Sequence, residues 1–342
     1  MLPQSIVNRE LLHQRHRLSH QQIDDLLGEK ESRNYISEKL EQFVQVKEYM
    51  EVAEEFSASG IEFISLKGPL LSYRIYTDAT YRRYSDLDFL IEIPFLENAL
   101  EVLKKRGYLT PVYDLPTDEC RRRLLYRHMN EILLYNPDTG IGIDLHWELF
   151  TGGKFIKKLS LTQIIDSNKV KIAFQGQQYN AFSIEFELLY LIIHGGLHAW
   201  RRLKWLVDIK DLIQNLDFDE TLFINLTKKM NAQHLVSLCN ELLKIYFPGT
   251  RLLQCSENPS RHSVNFSLYS IKLETDEQTR SISEFLKTFW NNFRAFPGIS
   301  YKTSMLKRFL FASDLAANKS MPCSNFLYYL VSPFWKIRRG LR

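Results

Sequence analysis

Residues 85–93, SDLDFLIEI, restrict this chain more than any other stretch. On an extended backbone, successive side chains point to opposite faces. Asp86 and Asp88 therefore share one face, while Leu87, Phe89, Ile91 and Ile93 line the other, which reads as buried. Two charges on an otherwise apolar strand need compensation. Water at an exposed sheet face supplies it, and so does a divalent cation held against phosphates. An Asp-x-Asp pair alone does not separate the two.

The flanking sequence adds to the pair. Upstream, IEFISLKGPLLSYRIY reads as an apolar strand, a Lys67-Gly68 turn and a short helix, making a strand–turn–helix–strand unit. Downstream, Pro94 opens a helix that stops at Gly107. Residues 128–136, HMNEILLYN, read as a strand, followed by an Asn136-Pro137-Asp138-Thr139-Gly140 turn and a returning strand, IGIDLHWELF. Alternation places Ile141, Ile143 and Leu145 on one side of it and Gly142, Asp144, His146 and Glu148 on the other. Asp144 is thus a third carboxylate on a polar face, with His146 beside it. Three carboxylates from two neighbouring strands are the equipment of a two-metal phosphoryl-transfer site.

Composition bounds the class. The 342 residues are 45% hydrophobic and 25% charged, as in ordinary soluble globular proteins, and the net charge of +4 does not by itself indicate nucleic acid. Cys120, Cys239, Cys255 and Cys323 are widely spaced with no C-x-x-C pair, which fits reduced thiols better than a disulfide framework or a zinc knuckle. The first twenty residues lack the apolar core of a signal peptide. No apolar run reaches the roughly 18–20 residues of a membrane span. These features predict a cytoplasmic protein without a transmembrane segment.

Residues 1–35 are polar, and His13, His16 and His20 among arginines read as a solvated helix face, since no acidic or thiol partner accompanies them. From Ile36 to Phe56 the apolar spacing of Ile36, Leu40, Phe43, Val44 and Met50 is helical. After Phe174 helical patterns dominate. The chain thus divides into a polar extension (1–35), an α/β domain (36–175) and a helical domain (176–342).

Taken in order, L-K-G-P-L-L-x-x-x-I-Y, R-x-x-x-D-L-D-F-L-I and D-L-H-W resemble a bacterial branch of the nucleotidyltransferase (polymerase beta-like) superfamily. These are mostly uncharacterised nucleotidyltransferases, some encoded beside peptide natural-product genes. The resemblance runs on through H-G-G-L-H-A-W-R-R-L-K-W-L-V-D-I and P-C-S-N-F-L-Y-Y-L-V-S-P, from about residue 60 to the end. It implies an α/β (α+β) fold, with a small mixed-sheet nucleotidyltransferase-like domain followed by a mainly helical one.

By position, the resemblance puts the paired metal carboxylates on Asp86 and Asp88 and the third acid on Asp144. It implies two Mg²⁺ ions, with Mn²⁺ as the alternative, and an NTP such as ATP as nucleotide donor. The acceptor is a small molecule, a peptide or protein side chain, or an RNA end. The chain departs from the superfamily at Lys67-Gly68, which stands where a Gly-Ser turn usually cradles the phosphates. Gly68 still permits close backbone approach, and Lys67 offers a point charge in place of a hydroxyl. Arg82 matches the family's arginine, as a phosphate clamp or a structural ion pair. His146 reads as a ligand or acid–base group, or as a satisfied strand-face histidine.

A second constellation lies on the helical side. His194, His198, Arg201, Trp205 and Asp208 are spaced to share one face of a continuous helix, which Gly195-Gly196 weakens. The pair lacks the H-E-x-x-H pattern, which argues against zinc. With Arg202 and Lys204, this face is expected either to close over the nucleotide or to form a polar interface between domains. The C-terminal segment from Lys302 is basic, with Asp314 its one acid. Its last helix, rich in aromatics, is expected to pack through Phe326, Leu327, Tyr329 and Leu330, and its basic end to touch a partner or membrane surface. The expected activity is Mg²⁺-dependent transfer of NMP with release of pyrophosphate. The alternatives are a phosphotransferase using the same carboxylates and a non-catalytic nucleotide-binding partner in a biosynthetic complex.

Overall fold

Asp88 and Asp144 are register partners on adjacent parallel strands, and the sheet that aligns them organises one part of the molecule. The computed structural model describes residues 8–29, 35–111, 115–150, 160–273, 281–295, 298–310 and 324–340. In chain order the elements begin with α1 (Arg9–Gln14), α2 (His20–Leu27), α3 (Tyr35–Ala58), β1 (Phe63–Leu66), α4 (Gly68–Tyr76) and β2 (Asp86–Ile91). There follow α5 (Ile93–Lys105), α6 (Glu119–His128), β3 (Glu131–Tyr135), β4 (Gly142–His146), α7 (Leu161–Asn168), β5 (Lys169–Phe174) and β6 (Gln177–Phe182). The remaining helices are α8 (Ile184–Leu197), α9 (Leu203–Asn215), α10 (Glu220–Lys229), α11 (Gln233–Tyr246), α12 (Arg261–Lys272), α13 (Ile282–Ala295), α14 (Ile299–Leu310) and α15 (Asn325–Gly340). This is the mixed α/β architecture expected from the sequence.

Two compact units emerge, and their segments alternate along the chain rather than dividing at one linear cut. One unit takes residues 1–50, 66–84 and 165–297, and the other takes 51–65, 85–164 and 298–342.

In the second unit, the sheet runs in the order β1-β2-β4-β3. β2 and β4 are parallel, and β3 is antiparallel to β4. Leu87, Phe89, Ile91, Ile143 and Leu145 are fully buried. Each such side chain contributes about 1.5–3 kcal/mol on leaving water. Phe56, Phe63 and Phe89 meet edge to face, with ring centroids 5.5–5.8 Å apart. Ile93 corrects the sequence reading. It opens α5 and is 48% exposed, because Pro94 starts the helix there and turns the chain out of the strand.

The last helix also differs from expectation. Tyr328 of α15 is buried, packing with Leu124 and Leu125 of α6, and Tyr329, Val331 and Trp335 add to the contact. Phe326, Leu327 and Leu330 are exposed instead.

In the first unit, α8 is the central helix, buried almost throughout from Glu185 to Gly196. The described N-terminal residues 8–29 pack within this unit. Leu12, Leu18 and Ile23 are fully buried, and His16 Nδ1 accepts a hydrogen bond from the Leu203 backbone N–H at 3.1 Å. Arg17 adopts φ 59° between α1 and α2, so the three histidines do not share one helix face. The apolar spacing that marks α3 as a helix lies on its exposed side, with Ile36, Leu40, Phe43 and Val44 all more than half exposed. The inner face there is polar. Gln42 bonds both backbone groups of Tyr84, and Glu38 accepts from the His20 N–H. Cys239 and Cys255 are free thiols, whereas Cys120 is disulfide-bonded, against the expectation of reduced cysteines throughout. Wide spacing excludes a zinc knuckle but not a long-range pair.

Candidate active site

The site grows out of strand register. Asp86 lies opposite Gly142, Asp88 opposite Asp144 and Leu90 opposite His146, so the acids and the histidine share one face of neighbouring strands. The opposite face supplies the buried apolar set that fixes this orientation, because a one-residue slip would exchange the two faces. Donor atoms of Asp88, Asp144 and His146 all lie within 4.8 Å of one another. Asp86 sits one rung back, and its charge still reaches Asp144.

The electrostatics follow from crowding acids in a dry place. Burial, reinforced by the Asp86 and Asp88 charges and by Glu131, pushes Asp144 up to about 8 against a partial offset from His146. His146 is the local compensation. Its Nε2 is 3.1 Å from Asp88 Oδ1, and its Nδ1 is 3.0 Å from Glu131 Oε2. Burial disfavours the imidazolium, but the two carboxylate bonds outweigh it and raise the ring to about 10. The protonated ring therefore donates from both nitrogens.

Glu131 was missed by sequence reasoning. The signal was present: alternation in HMNEILLYN puts Glu131 on the face of Leu133 and Tyr135, and antiparallel register sets it opposite His146. Seeing it required the β3–β4 register as well as the alternation.

The other predicted residues belong to the first unit. Lys67 occupies φ 44°, ψ −134° just before α4, with Nζ 5.5 Å from the Tyr190 ring centroid, and Gly68 follows at φ 54°. Arg82 and Asp208 are bonded to each other, Nε to Oδ1 at 2.8 Å, and both are buried. Lys204 Nζ donates to the Arg83 carbonyl at 2.7 Å, and Arg202 caps the start of α9.

The continuous helix expected through His194 and Asp208 is interrupted. α8 ends at Leu197, His198 caps it, and Ala199 and Trp200 take φ of 52° and 54° before α9 begins. The turn still gathers the rings: His194 lies 4.6 Å from His198 and 5.4 Å from Trp205. The glycine pair serves packing. A Cβ on Gly195 would stand 2.5 Å from the Trp200 ring, and one on Gly196 would stand 2.8 Å from Leu235 Cδ2.

Aligned carboxylates on adjacent parallel strands can hold divalent cations against a phosphoryl group. The chain belongs to the family described as uncharacterised nucleotidyltransferase, which matches residues 12–248, and it is an enzyme of that class. The match begins inside the N-terminal segment and stops before the C-terminal helices, so it differs at both ends from the span of the sequence resemblance. Among solved structures, the chain is similar to an antigenic nucleotidyltransferase-like protein from Paracoccidioides brasiliensis. That likeness has 17% identity and a TM-score of 0.32 over 56% of this chain and 89% of the other, which is too loose to carry an argument. No curated protein matches the chain. No helix among the described residues is long and apolar enough to cross a membrane.

Proposed function

We propose that the chain transfers an NMP group from an NTP to an acceptor hydroxyl and releases pyrophosphate, with Asp86, Asp88 and Asp144 holding two Mg²⁺ ions. One observation carries this reading: Asp88, buried, and Asp144, partly buried, face each other in register on parallel strands, with Asp86 one rung away.

The residues fit a hard divalent cation. Their donors are carboxylate oxygens, and the upward shift of Asp144 marks a surplus of negative charge that a cation would relieve. When bound, such ions polarise the phosphoryl oxygens and lower the pKa of the acceptor hydroxyl. The protein's own part is positional. Glu131 and Asp88 hold the His146 ring from both sides, and the ring in turn fixes one oxygen of Asp88. Leu87, Phe89 and Ile143 behind the strands keep the acid face from rotating. In the transfer itself the acceptor oxygen bonds to the α-phosphorus, and the bond from that phosphorus to the α,β-bridging oxygen breaks. Pyrophosphate leaves with the electron pair, and the hydroxyl proton passes to solvent.

The test uses purified full chain with each NTP labelled at the α or the γ position, Mg²⁺ and candidate acceptors. Labelled NMP on the acceptor with free pyrophosphate supports the proposal. Release of NDP with a γ-phosphate on the acceptor would replace it with phosphotransfer. Turnover unchanged in Asp86→Ala/Asp88→Ala would overturn the site.

A further inference from the structure

Helices α12 and α13, beyond the family-matched segment, enclose a cleft that the proposed transfer chemistry does not use. Its volume is about 590 Å³, within the range of small-molecule sites. Helical spacing builds both walls. Phe266 and Tyr269 line it from α12, while Leu286, Trp290 and Arg294 descend α13 one turn at a time, with Lys287 and Asn291 beside them. The neighbouring buried face of α12 is Ser263, Ser267 and Ser270, side chains small enough to let another element approach closely.

Two features point to a ligand. Tyr269, Leu286 and Trp290 are 43%, 36% and 53% exposed, so large apolar side chains left in water converge on one concavity instead of scattering. Two cations stand on the same wall. Lys287 Nζ lies 5.6 Å from the Tyr269 ring centroid, and neither Lys287 nor Arg294 is held in an ion pair among the described residues.

We infer that this cleft binds a small aromatic anion: a flat apolar body between Phe266, Tyr269 and Trp290, with an acidic group drawn by Lys287 and Arg294. The aromatic walls supply most of the buried area, and the cations choose acids over neutral molecules of the same shape. The inference is independent of the nucleotidyl-transfer reading and stands or falls without it.

Anilinonaphthalene sulfonate has both features, and phenylnaphthylamine has the same body without the acid. Fluorescence titration of the full chain should show saturable binding of the sulfonate. In Lys287→Ala/Arg294→Ala, its affinity should fall about tenfold, while affinity for the neutral compound stays unchanged. Trp290→Ala should weaken both, with the thermal unfolding curve unmoved as the control for folding. Benzoate and phenyl phosphate as competitors then tell a carboxylate ligand from a phosphate one. Equal affinity of wild type and the double-cation variant for the sulfonate would overturn the inference, as would displacement by neither competitor.

Discussion

Glu131 and His146 are register partners on antiparallel strands, and a carboxylate oxygen of the first lies 3.0 Å from Nδ1 of the second. The contact makes Glu131 a positioning residue for Asp88 through the imidazole ring. Glu131→Gln should therefore raise the Mg²⁺ concentration needed for half-maximal turnover about 10- to 100-fold without abolishing turnover. A Mg²⁺ titration of activity reads this directly. The rate at saturating Mg²⁺ should recover most of the wild-type value, which a substrate-contacting residue would not allow.

Asp144 sets function against stability. A carboxyl group whose folded pKa lies near 8, above its unfolded value of 3.8, binds more protons in the folded state. Its ionisation therefore costs stability progressively as pH rises from about 4 to 8. Asp144→Asn should raise the metal-free melting temperature above pH 8 and eliminate turnover. A gain of 1 kcal/mol would appear as roughly 2–4 °C. Added Mg²⁺ or Mn²⁺ should raise the melting temperature of the wild type and leave the variant where it was.

His16 gives the opposite sign. Burial, helped by the Arg15 charge, lowers its pKa from 6.5 to about 3. The folded state thus keeps the ring neutral while the unfolded state takes up a proton, so the stability present above pH 6.5 drains away as pH falls toward 3. His16→Asn, which keeps an acceptor for the Leu203 N–H, should flatten the fall of the urea midpoint between pH 6.5 and 4. Parallel curves for the two proteins would refute the assignment.

Arg82 and Asp208 test whether a predicted nucleotide contact is structural. Arg82→Ala leaves Asp208 buried and unpaired by that guanidinium, at a cost of about 3–5 kcal/mol. Arg82→Met/Asp208→Leu should recover most of that loss in chemical denaturation. Normal NTP turnover by the folded double variant would confine the pair to architecture.

Gly195→Ala should cost about 1–3 kcal/mol, because the added Cβ meets the rigid, buried Trp200 ring at 2.5 Å. Gly196→Ala should cost less, since the atom it meets is the movable end of Leu235. Urea midpoints rank the two.

What the sequence made legible was whatever depends on local alternation. Asp86, Asp88, Asp144 and His146 came out on the right faces because a two-residue period is written into each strand. Glu131 did not, because its partnership is with a residue fifteen positions away and needs the hairpin's register. Helical periodicity located α3 without saying which side it buries: Ile36, Leu40 and Phe43 form a regular stripe that stays in water while Gln42 and Glu38 face inward. Periodicity states that one side differs from the other; hydrogen-bond partners from distant segments decided which side was covered. The turn at Ala199 and Trp200 was equally hidden, since neither residue announces a positive φ.

The alternation of the two units has a consequence for how this enzyme could have arisen and how it is made. Six segments meet at five junctions, after residues 50, 65, 84, 164 and 297. No single cut releases either unit, so neither can be inherited as a cassette or exchanged by simple gene fusion. During synthesis, the carboxylate strands leave the ribosome long before α15 arrives to bury Tyr328 against α6. Completion of the unit that carries the acids therefore waits on a helix translated long after them.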